Sequence, residues 1–192
     1  MSMLNPHVID NNLNDLITAI NVDDDSAAYP VKKLDAHLNN IRHAAISIFV
    51  FNGSRMLLQK RAETKYHSGG LWANTVCSHP RWMESFSACA GRRQEEELGW
   101  QVPVRKFGEI SYQARVGELF ENEFVHCFYG QFDESIDVEQ YNRDEVCEVK
   151  WLTIPEAILQ IEQYPENYTQ WFKIYMTKHR QMIDALLYGD MN

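Results

Sequence analysis

A 23-residue segment, residues 78–100, carries a spaced set of acids and bases that could bind a metal ion and a phosphorylated ligand. It reads SHPRWMESFSACAGRRQEEELGW. Glu84 lies eight residues before Arg92, and Arg93 lies four residues before Glu97, so a helix would give Arg93 an acidic neighbour one turn further on. Carboxylate oxygens hold Mg²⁺, which in turn can hold a diphosphate. The acidic run alone would indicate only a charged, solvated helix face, but the whole spacing favours a metal-binding role.

Two shorter segments contain further groups that could take part in catalysis. The first is NTVCSHP, residues 74–80, and the second is Glu121-Asn122-Glu123. Two glutamates that are two residues apart on a strand point to the same face of the sheet. The four cysteines form no CxxC pair and no tight zinc spacing, so we expect reduced thiols rather than disulfides.

The hydrophobic pattern predicts a mixed sheet with helices packed against it. The predicted strands are Ala44–Phe51, Arg55–Ala62, Leu71–Val76, Val102–Ile110, Glu121–Gln131 and Val146–Leu152, with a turn over residues 52–54. The predicted helices are Glu84–Leu98 ended by Gly99, one opened by Pro155, and Tyr168–Leu187. Residues 8–20 fit a hairpin or a helix, and the acidic residues 23–26 predict an exposed loop.

Composition limits the class of protein. The chain has 192 residues, of which 45% are hydrophobic and 12% aromatic, so a single folded domain is expected over residues 1–192. We place its core at about 40–165, an N-terminal extension at 1–36 and a C-terminal helix at about 168–187. A net charge of −9 argues against nucleic-acid binding. Because the N-terminus does not resemble a signal peptide and the apolar runs are short, we expect a cytoplasmic protein that does not enter membranes.

The spacing of residues 78–100 resembles the Nudix box, G-x5-E-x7-R-E-U-x-E-E-x-G-U, where U is a bulky aliphatic residue. Its departures include Ser78 in place of the first glycine, Arg93 in place of a glutamate, and Gln94 in place of an aliphatic residue. The loss of a glutamate at Arg93 argues against ordinary diphosphate hydrolysis. NTVCSHP, the Arg-Arg version of the box and the E-x-E pair resemble the motifs of the type 1 isopentenyl-diphosphate Δ-isomerases, over about residues 33–171.

This resemblance implies a Nudix fold of the α/β class, in which a mixed β-sheet is sandwiched between helices. It also implies interconversion of isopentenyl and dimethylallyl diphosphate by proton transfer on opposite faces of the substrate. Cys77, as a thiolate, would remove the allylic proton, and Glu123, assisted by metal, would protonate the terminal methylene. The hydroxyl of Tyr112 would lie near Glu123, and the ring of Trp171 would stabilise a carbocation. The remaining cysteines, Cys89, Cys127 and Cys147, are expected to be small buried side chains.

The resemblance further implies two metal sites and no flavin. The first site would hold Mn²⁺, Zn²⁺ or Mg²⁺ through His37, His43, His79, Glu121 and Glu123. The separation of His37 from His43 is one residue shorter than is usual in the family. At the second site, Glu97 would hold a Mg²⁺ that bridges to the diphosphate. The other histidines in the body of the chain are expected to have surface or structural roles; they are His67, His126 and His179.

The implied ligand is a small isoprenoid diphosphate, bound by a few local cations despite the acidic chain. The matching positions are Lys33, Arg61, Lys65, Ser78 and Arg93. No nucleic-acid or membrane partner is expected, and the chain would be a monomer or a homodimer. Three alternatives stay open: a Nudix hydrolase of another diphosphate, a non-catalytic Nudix module, and an isomerase of a related isoprenoid.

Overall fold

The computed structural model describes residues 15–188, which form nine β-strands and five α-helices. The strands are β1 (Leu16–Ile20), β2 (Ala27–Lys32), β3 (His43–Asn52), β4 (Arg55–Arg61), β5 (Trp72–Asn74), β6 (Val76–Ser78), β7 (Val104–Val116), β8 (Leu119–Gln131) and β9 (Val146–Thr153). The helices are α1 (Lys33–Leu38), α2 (Phe86–Leu98), α3 (Ile154–Gln163), α4 (Gln170–Lys178) and α5 (Arg180–Tyr188). The N-terminal residues compared with a signal peptide, and residues 8–14 of the ambiguous segment, lie outside the described range.

Strand β3 lies at the centre of the sheet, and all its residues except the last are buried. It pairs in parallel with β8 and antiparallel with β6. Its side chains alternate between two apolar cores: Phe49 and Phe51 pack with residues of α3, α4 and α5, whereas Ile48 and Val50 pack with residues of α2. A central strand that is apolar on both sides requires cover on both faces. The predicted α/β sandwich with a mixed sheet is therefore confirmed.

The register of three neighbouring strands brings polar side chains together at one end of β3. His43, the first residue of β3, lies opposite Glu123 of β8. Glu123 in turn lies opposite Tyr112 of β7. Because side chains alternate along a strand, Glu121 points to the same face as Glu123. The sheet therefore places a histidine, a tyrosine and two carboxylates in one cluster.

Helix α2 occupies the predicted segment but begins two residues later, at Phe86. The Ser85 side chain accepts a hydrogen bond from the Ala88 N–H, which caps the helix. Gly99 ends it with a φ of 72°, in the left-handed region that glycine adopts without strain. A side chain there would also meet the Gln140 carbonyl oxygen, 2.9 Å from an ideal Cβ. Glycine is thus required at this position by backbone conformation and by space.

The C-terminal helix predicted over 168–187 is wrong in one respect, because it consists of two helices. Helix α4 ends at Lys178, and His179 leaves the helical region with φ −117° and ψ 15° before α5 begins. Past this break, the Met182 side chain of α5 packs closely over Gly108 of β7. The sequence around His179 has neither glycine nor proline, so this break follows from tertiary packing and not from a local signal.

The other predicted elements are confirmed with shifted boundaries. The segment predicted at 71–76 is divided into β5 and β6, and β7 runs six residues further than expected, to Val116. The described part of the ambiguous N-terminal segment is a strand, β1, which forms a hairpin with β2 across the exposed acidic loop. Among residues 15–188, none of the helices has both the length and the apolar character needed to cross a membrane.

Candidate active site

Three histidines and two glutamates converge where β3 and β8 begin to pair. The ligand atoms of this His/Glu group all lie within 4.8 Å of one another; its members are His37, His43, His79, Glu121 and Glu123. They are the five residues that the sequence predicts for the first metal site, and the shortened spacing between the first two does not separate them. Helix α1 supplies the first histidine, β3 the second, the segment after β6 the third, and β8 both glutamates.

Backbone carbonyls fix the orientation of two rings in the His/Glu group. Nδ1 of His37 lies 2.7 Å from the Lys33 carbonyl oxygen, and Nδ1 of His43 lies 2.7 Å from the Ile41 carbonyl oxygen. Because a carbonyl only accepts, each Nδ1 must carry the proton, which leaves the Nε2 lone pair of a neutral ring available. A hydrogen bond from the ring nitrogen that does not bind the metal is the usual way in which a metal-binding histidine is oriented.

The inner atoms of the His/Glu group fit a divalent cation. Glu123 Oε1 lies 2.9 Å from His79 Nε2 and 3.7 Å from His43 Nε2, and Glu121 Oε2 lies 3.5 Å from His37 Nε2. Within residues 15–188, His43 Nε2 and Glu121 Oε1 are buried and make no hydrogen bond. Burial and the adjacent His43 hold the pKa of His79 well below its usual value, so this ring is neutral. Imidazole nitrogens and carboxylate oxygens form a donor set for a divalent metal.

Glu123 also accepts a short hydrogen bond from Tyr112, whose hydroxyl lies 2.5 Å from Oε2. Burial and the negative charge of Glu123 raise the pKa of Tyr112 well above its usual value, so the phenol keeps its proton. Burial opposes the charge on Glu123, but the adjacent His43 and the hydrogen bond from Tyr112 keep the Glu123 pKa below its usual value. The pair is therefore a carboxylate and a phenol donor.

Cys77 of β6 lies on the wall of the same cavity as Tyr112 and Glu123. Its thiol donates to Asn74 Oδ1 at 3.1 Å and lies 3.6 Å from Ser47 Oγ. Burial, reinforced by the negative charges of Glu123 and Glu97, raises the pKa of the Cys77 thiol. The raised pKa favours the protonated thiol in the chain without ligands, and the role of a Cys77 thiolate in proton removal stays a prediction.

Trp171 of α4 completes the apolar wall of this cavity and is 4% exposed. The Arg61 guanidinium carbon lies 5.3 Å from its ring centroid, so the ring already contacts a cation. The ring of His67 meets Trp171 edge-on, with 5.9 Å between the ring centroids. The carbocation-stabilising role that the resemblance implies for this tryptophan stays a prediction.

The residues predicted to bind diphosphate all line the cavity; they are Lys33, Arg61, Lys65, Ser78 and Arg93. Two of them already share a carboxylate that the sequence did not indicate. Glu145 Oε2 lies 2.7 Å from Lys65 Nζ and 3.2 Å from an Arg93 nitrogen. Arg93 is buried, and it also contacts Glu96 at 2.6 Å and Glu97 at 2.8 Å. We call Lys65, Arg93, Glu96, Glu97 and Glu145 the α2 ion-pair cluster.

Glu97, the predicted ligand of a second metal ion, is held on both of its oxygens. Oε1 contacts Arg93, and Oε2 accepts a hydrogen bond of 2.7 Å from Gln59 Nε2. Within the described part of the chain, Glu97 belongs to no group of three or more metal-ligating side chains. Further ligands for an ion at Glu97 would therefore have to come from the substrate or from water.

His67 was expected at the surface or in a structural role, but the structure places it on the cavity wall. Its Nε2 lies 3.2 Å from Glu121 Oε1. Neither His67 nor Glu145 lies within a motif, and only the fold brings them to the site. His126 instead stacks on Phe86, with ring centroids 3.6 Å apart, and His179 ends α4. These two histidines are outside the cavity, as expected.

Comparison with known proteins identifies similar chains over most of this length. Residues 41–172 match the NUDIX domain family. A protein of Cereibacter sphaeroides named isopentenyl-diphosphate Delta-isomerase is 42% identical over 161 residues, which cover 83% of this chain and 90% of that protein. A protein of the same name from Rhodobacter capsulatus is 44% identical, and the match covers 80% of this chain and 88% of that protein. Another from Dinoroseobacter shibae is also 44% identical, and the match covers 83% of this chain and 91% of that protein.

Solved structures agree in fold. A protein of Deinococcus radiodurans superposes with a TM-score of 0.63 at 14% identity, covering 77% of this chain and 88% of the other. The MutT protein of Methanosarcina mazei gives a TM-score of 0.58 at 18% identity, covering 73% of this chain and 94% of the other. At such low identity these likenesses support the Nudix architecture and say nothing about substrate.

Proposed function

Because the chain belongs to the Nudix family and, within it, to the isopentenyl-diphosphate Delta-isomerases, we propose that it interconverts isopentenyl and dimethylallyl diphosphate by proton transfer. The observation that carries this proposal is the cavity wall shared by the Cys77 thiol and the Tyr112–Glu123 pair, beside the His/Glu group. Two proton-transfer groups around one buried space are what a double-bond shift requires. Isomerisation is favoured over hydrolysis, since Arg93 stands where the Nudix box has a glutamate. The Arg93 guanidinium also forms an ion pair with Glu97.

The reaction adds one proton to the substrate and removes another. From isopentenyl diphosphate, Glu123, relayed by Tyr112, delivers a proton to the terminal methylene, and positive charge develops at the adjacent tertiary carbon. Cys77 then takes a proton from the allylic carbon, and those electrons form the new double bond. The forward direction, from isopentenyl to dimethylallyl diphosphate, therefore starts with the proton on Glu123. The reverse direction starts with the proton on Cys77.

The ligand-free chain holds this proton on Cys77, because burial raises the thiol pKa while the Glu123 pKa lies below its usual value. This is the starting state for the direction from dimethylallyl to isopentenyl diphosphate. For the forward direction, the proton must first pass from Cys77 to Glu123. Positive charge brought into the cavity favours that transfer, since it stabilises a thiolate.

A divalent metal would be held by the His/Glu group, and it would fix Glu123 and polarise the hydrogen bond between Glu123 and Tyr112. The residues themselves supply the rest of the arrangement. The carbonyls of Lys33 and Ile41 hold the His37 and His43 rings, and the strand register holds Tyr112 opposite Glu123. Mn²⁺, Zn²⁺ and Mg²⁺ are the proposed occupants.

The diphosphate would be bound by five of the residues that line the cavity, with a Mg²⁺ ion at Glu97; they are Lys33, Arg61, Lys65, Arg93 and Ser78. Arginine forks and lysine point charges both suit phosphate oxygens. Trp171 would face the isoprenoid end, where its ring attracts positive charge by about 2 kcal/mol when desolvated. The site would thus hold the charged end of the substrate by cations and the reacting end by apolar and aromatic surface.

A product assay tests the proposal against hydrolysis. The purified chain, supplied with Mn²⁺ and Mg²⁺, is incubated with isopentenyl diphosphate, and the products are followed by ¹H and ³¹P NMR. The proposal expects dimethylallyl diphosphate with both phosphates retained. Release of phosphate or of an isopentenyl monophosphate, without any allylic isomer, would support the hydrolase alternative instead.

A further inference from the structure

His67 lies against the His/Glu group without being one of its members. It lies in the segment between β4 and β5 with its side chain 8% exposed, and its Nε2 lies 3.2 Å from Glu121 Oε1. The other oxygen of the same carboxylate, Oε2, lies 3.5 Å from His37 Nε2. Each oxygen of Glu121 therefore has an imidazole beside it, one from inside the metal-ligand group and one from outside.

The backbone around His67 is held in place from several sides. The Arg61 guanidinium donates to the His67 carbonyl at 3.4 Å, and the Gly70 N–H donates to the Arg61 carbonyl at 3.0 Å. Gly69 packs so closely on Glu63 that a Cβ there would lie 2.6 Å from the Glu63 carbonyl oxygen. The imidazole is therefore carried by a segment whose backbone is tied to β4 and to Glu63.

The ring itself is also confined. Its centroid lies 4.2 Å from that of Tyr66 and 5.9 Å from that of Trp171, both edge-on. Nδ1 lies 3.3 Å from the Ser68 hydroxyl oxygen, which can donate to it and so leave the proton on Nε2. Glu121 Oε1 is buried and makes no aligned hydrogen bond within residues 15–188, and an Nε2–H of His67, 3.2 Å away, lies within reach of it.

We propose that His67 is a positioning residue that holds Oε1 of Glu121 and thereby presents Oε2 alone to a metal ion in the His/Glu group. This inference rests on the proposed metal site and adds a residue that no motif indicates. A carboxylate with one oxygen held by a neighbour binds a metal through the other, and it needs no reordering when the ion arrives. Loss of such a neighbour typically weakens metal binding by about 10- to 100-fold.

Two substitutions separate this role from simple packing. His67→Phe keeps a ring of similar size but has no N–H. His67→Gln keeps an amide N–H three bonds from Cβ, as Nε2 is in histidine. His126→Phe is the matched control, because His126 is half-buried on β8 but lies outside the cavity.

The test is titration of the metal-free proteins with Mn²⁺ by isothermal calorimetry, together with thermal melting without metal. The expected result is a dissociation constant about 10- to 100-fold weaker for His67→Phe, with recovery towards the wild-type value in His67→Gln. Melting of the metal-free proteins should be similar. If His67→Phe does not fold, His67→Leu replaces it, since leucine also lacks the donor.

Equal Mn²⁺ affinity in wild type and His67→Phe would overturn the inference and leave the metal site intact. Equal losses in the Phe and Gln variants would also overturn it, because packing alone would then explain both. Absence of Mn²⁺ binding in the wild type itself would refute the proposed metal site, and the role of His67 with it.

Discussion

The His/Glu group and the α2 ion-pair cluster lie on the same cavity but differ in how their charges are balanced. In the first, His43 Nε2 and Glu121 Oε1 are buried without hydrogen bonds among the described residues. In the second, Arg93 contacts three carboxylates, and Lys65 contacts one of them. A cation entering the first region replaces contacts between imidazoles and carboxylates, such as that of His79 with Glu123, whereas a diphosphate must compete with carboxylates for the cations of the second.

Glu123→Gln should have the largest effect, because it removes a proton-transfer group and a ligand of the His/Glu group together. We expect isomerisation to fall by about 10²- to 10⁴-fold or more, with a loss of Mn²⁺ affinity. Steady-state kinetics and calorimetric titration measure the two losses. Retention of full metal affinity would contradict the dual role of this residue.

Cys77→Ala should reduce isomerisation by about the same factor but leave metal binding near normal, because the thiol is not part of the His/Glu group. Kinetics and metal analysis of the purified variant check both parts. Cys89→Ala is the matched control, since Cys89 is buried in α2 against the other core and should be dispensable for activity. A Cys77→Ala variant with wild-type turnover would exclude the thiol from the mechanism.

Metal binding should stabilise the fold markedly if the His/Glu group is a preformed site. Saturation at 100 times the dissociation constant contributes about 2.7 kcal/mol, which corresponds to a rise of about 5–10 °C in melting temperature for a chain of this size. Scanning calorimetry with and without Mn²⁺ measures it. His43→Ala should abolish the rise, and an unchanged rise in that variant would place the ion elsewhere.

Glu145→Gln should have the smallest effect and the opposite sign. It removes the charge shared by Lys65 and Arg93, so both cations should become more available to the diphosphate. We expect KM for isopentenyl diphosphate to fall by up to about fivefold, which corresponds to about 1 kcal/mol, with kcat unchanged. Glu148→Gln, an exposed neighbour on β9, should leave KM unchanged. A higher KM in Glu145→Gln would show that this carboxylate organises the cations for binding.

Local signals account for the features that the sequence predicts well. The Ser85 cap, the Gly99 end and the i, i+4 charges define α2 within two residues. The two-residue spacing of Glu121 and Glu123 places both on one face, and their register with His43 then follows from the sheet. The resemblance to a known family identified the other members of the His/Glu group, which no spacing rule connects.

Features that depend on tertiary contacts could not be read from the sequence. Glu145 reaches Lys65 across 80 positions, and His67 reaches Glu121 across 54, outside every motif. The protonated state of Cys77 is set by burial and by two carboxylates brought near it by the fold. The break at His179 likewise follows from how α5 packs on β7. In each case the deciding partner is distant in the chain.

The central claim is that a proton from solvent-exchangeable groups enters the terminal carbon of isopentenyl diphosphate. The most direct measurement is incubation with that substrate in deuterated water with Mn²⁺ and Mg²⁺, followed by ²H NMR of the product. We predict deuterium in the new methyl group of dimethylallyl diphosphate. Dimethylallyl diphosphate without deuterium in that methyl group, or cleavage of the diphosphate without isomerisation, would contradict the mechanism.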